Sequence, residues 1–221
     1  MRVAIVSMFL AASPACAFAQ NAPLERCTTL SFAPLDVNVP ACTALIEANE
    51  ARDPETLALL LAARAEAYEF AITYRGEHIV NPAELLADAL ADLDRAAGMD
   101  PRHHMARGDI LFRLSRFEDA AASFTSAIAS APADAPALLE RRSMALAAAN
   151  DTEGAIDDLT AAIRLTTRDA DRVRLLLQRA PLLEAASDRA GAISDYRAAA
   201  RIDPDRPGPR EALSRLGADA D

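Results

Sequence analysis

Four segments of this chain align without a gap on a central alanine: LADALADLDRAAGMDP at 86–101, FEDAAASFTSAIASAP at 117–132, TEGAIDDLTAAIRLTT at 152–167 and RAGAISDYRAAARIDP at 189–204. Ala89, Ala120, Ala155 and Ala192 fall in register, and seven residues on so do Ala96, Ala127, Ala162 and Ala199. Between them, four after the first alanine, stand Leu93, Phe124, Leu159 and Tyr196. This small–large–small order lies on one face of a helix, as two closely passing helices require. No window shows the alternation of β-branched residues that a strand needs.

Each block follows a second helical segment with its own shared dipeptide: Arg64-Ala65, Arg107-Gly108, Arg142-Ser143 and Arg179-Ala180. A large side chain comes three residues after each small one, at Tyr68, Leu111, Leu146 and Leu183. The tripeptide Arg107-Gly108-Asp109, which alone spells an adhesion signal, is thereby absorbed into the repeat. Anchor alanines of the last three blocks are 35 and 37 residues apart, and the first gap is 31. A unit of about 34 residues with two antiparallel helices, Ala-x6-Ala in the second and a closing proline resembles the tetratricopeptide repeat. Pro101, Pro132 and Pro204 stand at that family's terminal proline, and Thr167 replaces it in the third unit. His104, Leu139 and Leu176 occupy the place of the usual tryptophan, and only Gly108 keeps the glycine. The resemblance covers residues 54–204 and implies an all-α fold, a right-handed superhelical array of antiparallel helix pairs.

Outside the array the chain divides into a leader at 1–19, an N-terminal segment at 20–53, and a capping helix with a tail at 205–221. In MRVAIVSMFLAASPACAFA, Arg2 precedes an apolar run that ends in Ala17-Phe18-Ala19, the pattern of a secretory signal cleaved near Ala19. The expected mature chain is exported to the periplasm or secreted, and no later segment is apolar enough to insert in a membrane. Export leaves Cys27 and Cys42, expected to pair as a disulfide around a loop of about 16 residues, worth about 3 kcal/mol. ACTALIEANEARDP resembles a lone second helix of a unit, and GPREALSRLG a helix that caps the last one. In the first unit, TYRGEHIVNPAELL inserts about a dozen residues between helices, with Asn81-Pro82 as N-cap and first turn. Ser115 and Glu118 fit a capping box for the second helix of the second unit.

A formal net charge of −10 excludes sequence-independent binding to nucleic acid. No metal or cofactor is expected, because His78, His103 and His104 lack any ligand spacing and no phosphate-binding glycine loop occurs. No nucleophile–base pair supports an enzyme. The repeated arginines face Asp92, Ser123, Asp158 and Asp195, so ion pairs are expected within units one, three and four, worth about 0–1 kcal/mol if exposed. The rival role for these arginines is gripping an anionic ligand.

The family resemblance implies a concave groove lined by the first helix of each unit, where a protein or peptide partner binds. By register those positions are Glu66 and Phe70 in the first unit, and Met105, Asp109, Phe112 and Arg113 in the second. The third contributes Glu140, Arg141 and Met144, and the fourth Arg174, Leu177, Gln178 and Glu184. Phe112 and Leu177 equally fit core positions. The expected function is that of a non-enzymatic interaction module or scaffold of a bacterial cell envelope. The alternative is an accessory subunit of an envelope enzyme or secretion complex that binds through the insertion at 73–81. Nothing in the sequence fixes the oligomeric state.

Overall fold

The computed structural model describes Cys27 and residues 35–49, 53–75 and 81–218. The expected leader at 1–19 and the centre of the insertion, 76–80, lie outside the described residues. The helices are α1 (Leu35–Asn49), α2 (Pro54–Arg75), α3 (Pro82–Met99), α4 (His104–Arg113), α5 (Phe117–Ser130), α6 (Ala135–Ala148), α7 (Thr152–Leu165), α8 (Asp169–Ala185), α9 (Arg189–Ile202) and α10 (Pro207–Arg215). There is no strand among the described residues. Extensive packing joins consecutive helices only, from α1 against α2 through to α9 against α10. The described residues therefore form a line of four helical hairpins, α2/α3, α4/α5, α6/α7 and α8/α9, with α1 packed before them and α10 after.

The alanine register explains the packing. All of the anchor alanines, the alanines seven residues on and the four large residues between them are buried. In the second hairpin the Phe124 ring lies over Gly108, where an added Cβ would come within 2.6 Å of it. Glycine at 108 thus makes room for the ring as it sits at 124, whereas the fourth hairpin seats Tyr196 with Ala180. Leucine stands opposite the small residue in the first and third hairpins.

The turns inside hairpins two to four share one geometry. Ser115, Asn150 and Ser187 have φ of 59°, 66° and 66°, the left-handed region. Each turn closes with paired bonds to the preceding helix, such as Ser187 N–H to Glu184 C=O and Asp188 N–H to Leu183 C=O at 2.9 and 2.8 Å. These are Schellman closures made without glycine. The next residue caps the following helix. Asp151 and Asp188 accept from Gly154 N–H and Gly191 N–H, both at 2.9 Å. The expected capping box at Ser115 and Glu118 is not formed. Ser115 is spent on the left-handed turn, and the N-cap position falls to Arg116, which makes no side-chain cap. Asn81 does cap α3, accepting from Glu84 N–H at 3.4 Å.

Cys27 and Cys42 are joined as a disulfide with Cα atoms 4.8 Å apart. Both pack with Ile46, Leu57, Leu60, Leu61 and Ala96, so the bridge sits inside the cluster that closes the N-terminal end of the array. Replacing both cysteines with serine is expected to lower stability by about 3 kcal/mol. Thermal unfolding of the oxidised parent and the variant checks this. Equal midpoints would mean the bridge constrains nothing.

Candidate partner-binding face

The repeated arginines are structural. Arg64, Arg142 and Arg179 each form two parallel hydrogen bonds to the aspartate of their own hairpin. Arg64 meets Asp92 at 2.7 and 2.7 Å, Arg142 meets Asp158 at 2.7 and 2.6 Å, and Arg179 meets Asp195 at 2.8 and 2.7 Å. All three aspartates are buried, so the figure of about 0–1 kcal/mol for exposed pairs does not apply to them. The remaining guanidinium nitrogen reaches back to a threonine of the preceding helix: Thr43 at 2.9 Å, Thr125 at 3.0 Å and Thr160 at 2.6 Å. Each arginine thus ties three helices together. In the second hairpin the two partners exchange places. Arg107 pairs with Asp94 of the preceding helix and donates to Ser123 of its own hairpin at 3.3 Å. Thr43 in this role shows that α1 occupies the place of a second helix of a unit. With their donors committed in this way, these arginines are not placed to grip an anionic ligand.

On the face built by α2, α4, α6 and α8, charged side chains bridge one hairpin to the next. Arg113 donates to Glu69 at 3.0 Å and to Thr73 at 3.3 Å. Arg141 pairs with Asp109, and Arg174 with Glu140. Gln178 also donates to Glu140, at 2.8 Å. Glu184 takes Arg215 of α10 at 2.8 Å and the Tyr196 hydroxyl at 2.9 Å. Arg215 and then Tyr196 hold the Glu184 carboxyl below its ordinary range. Seven of the thirteen residues expected to line the groove, Arg113, Asp109, Arg141, Glu140, Arg174, Gln178 and Glu184, are therefore engaged with each other or with neighbouring hairpins.

The other six divide. Phe112 packs edge-on against Phe117, centroids 5.3 Å apart, and borders the core of the first two hairpins. Leu177 is half-buried against two core clusters of the last hairpin. Phe70 stacks at a tilt on Tyr74, centroids 4.6 Å apart. Met144, Met105 and Glu66 are exposed.

Glu66, Met105 and Asp109 come together in one place, a cleft of about 730 Å³ between α2 and α4. Its walls are mostly apolar, with Leu59 51% and Met105 42% exposed and Leu60, Ala62, Ala63 and Ala106 behind them. Glu66, Glu69 and Asp109 supply its negative charge, and no arginine lines it among the described residues. Although Glu66 is exposed, partial desolvation at the cleft wall pushes its carboxyl above its ordinary range, with Glu69 adding to the shift. Burial also raises the Asp109 carboxyl, against the pull of Arg141. His103 lines the cleft as well, and burial holds its imidazole below the usual value despite Asp100 nearby. Its Nε2 is buried without a hydrogen-bond partner among the described residues. Leu59 and His103 escape a reading by repeat register, because neither recurs from unit to unit, whereas Glu69 stands four residues after Ala65, the register of Phe112 and Glu184. The Leu59-Leu60-Leu61 run is the one available signal, since a helix cannot bury three consecutive side chains on one face.

Among the described residues no cluster of three or more His, Cys, Asp or Glu side chains is placed to hold a metal ion. Nor is any described helix long and apolar enough to cross a membrane.

No protein-family model matches the chain, and no curated protein matches it in sequence. Solved structures do. A MamA structure, the RS-1 ArsTM double mutant, superposes with a TM-score of 0.62 at 18% identity, over 88% of this chain and 97% of that one. Another crystal structure of MamA gives 0.61 at 14% identity, over 77% and 89%. YrrB, described as a TPR protein with an unusual peptide-binding site, gives 0.58 at 19% identity, over 80% and 82%. The fold is that of the tetratricopeptide-repeat proteins, an all-α, right-handed superhelical array of antiparallel helix pairs.

Proposed function

We propose that this protein is a non-enzymatic interaction module or scaffold of a bacterial cell envelope, and that it binds a peptide or helix of a partner protein in the cleft between α2 and α4. The observation that carries the reading is the cleft itself. It is an open apolar concavity of about 730 Å³ on a face whose other polar groups are mostly tied to one another. That volume lies within the range of about 300–1,000 Å³ usual for ligand sites. YrrB, with the same fold, has a peptide-binding site. The signal-like first nineteen residues and the buried disulfide favour an exported protein working in an oxidising compartment.

A second reading places the contact at the insertion, where Tyr74 is 72% exposed beside residues 76–80. Photo-crosslinking in envelope extract separates the two. A benzophenone side chain at Met105 is expected to capture a discrete partner, and one at Tyr74 is not. Capture from Tyr74 alone would move the binding site to the insertion, and the groove reading would fail.

A further inference from the structure

The chemistry of the cleft goes further and says what kind of segment fits. This step rests on the groove reading above. We propose that the partner segment carries a lysine or arginine flanked by apolar side chains, with its cation on Glu66 and its apolar neighbours on Leu59 and Met105.

Among the described residues three acids and no arginine line the cleft. Two of the acids already have a cation from outside its walls, Glu69 from Arg113 and Asp109 from Arg141. Glu66 has no ion-pair partner among the described residues, and it stands among alanine, leucine and methionine side chains. A carboxylate losing water to apolar walls gains most from a cation that arrives with the ligand. An incoming carboxylate finds no lining cation among the described residues and meets the uncompensated charge of Glu66, so an acidic segment is disfavoured. The net charge of −10 extends the same preference to long range, drawing basic segments in and repelling a second copy of this chain. Leu59 and Met105 present exposed apolar surface in the same cleft as the acid, so apolar side chains beside the cation would be buried with it.

The test is selection of short random peptides displayed on phage against the intact, oxidised chain, repeated with Glu66→Gln, Glu66→Lys and Leu59→Ser. All three substitutions are at exposed positions, and helical circular dichroism checks that each variant is folded. Enriched peptides are expected to carry Lys or Arg between apolar residues and to lose about tenfold in affinity on Glu66→Gln. Glu66→Lys is expected to turn the selection towards acidic peptides. Peptides that depend on Leu59 but ignore Glu66→Gln would overturn the cationic assignment and leave the groove reading standing. No enrichment, or peptides indifferent to Leu59→Ser, would overturn the groove reading and this inference with it. Dimerisation of the free chain that Glu66→Lys abolishes would give the cleft to a second copy and overturn the assignment to a separate partner.

Discussion

Arg179→Ala is expected to cost about 3 kcal/mol of stability, far more than the loss of a surface ion pair. The Asp195 side chain is 5% exposed, and both of its oxygens accept from Arg179. Removing the guanidinium leaves a buried carboxylate with neither a countercharge nor its two donors. It also cuts the link to Thr160, so the third and fourth hairpins lose a shared fastening. Arg116, which meets Asp119 in an exposed pair one helical turn away, is the control. Its replacement by alanine is expected to cost about 0.5 kcal/mol or less. Urea unfolding of both variants checks the pair. A loss below about 1 kcal/mol for Arg179→Ala would show that the aspartate is rehydrated at little cost and that the fastening is ornamental.

Gly108→Ala is expected to destabilise by about 1–3 kcal/mol, although alanine is the better helix former by about 1 kcal/mol. An alanine methyl would meet three carbons of the Phe124 ring at 2.6–2.9 Å. That ring is 1% exposed and enclosed by the core of the first two hairpins, so it has little room to yield. The remedy follows from the repeat. Ala65 faces Leu93 in the first hairpin, so Gly108→Ala with Phe124→Leu rebuilds a pairing that this chain already uses. The double variant is expected to be more stable than the sum of the two single losses. Simple additivity in denaturant unfolding would mean that the ring does not dictate the glycine.

What recurs along the chain was legible in its sequence, and what does not recur was hidden. The hairpins follow from the alanine register, and the three arginine–aspartate pairs follow from reading helix against helix within one unit. The threonine contacts were missed because they come from the preceding unit, although Thr125 and Thr160 stand five residues after their anchor alanines. The same oversight hid the exchange in the second unit, where Asp94 takes the threonine place and Ser123 the aspartate place. Ser115 misled for a different reason. A serine followed three residues later by glutamate suits a capping box, but the turn geometry shared with Asn150 and Ser187 claims that residue first. On the concave side, Glu66, Met105 and Asp109 were found by register. The bridging of Glu69 to Arg113 and of Glu184 to Arg215 shares one register, each glutamate four residues after the small residue of its helix, but the arginine partners emerged only with the fold.

The cleft between α2 and α4 as the surface that holds a partner is the central claim, and hydrogen exchange tests it most directly. Amides of the intact chain are compared with and without a photo-captured or selected peptide. Slowed exchange is expected in residues 56–69 and 103–109, with α7 and α9 unchanged. Protection confined to residues 73–84 would contradict the account.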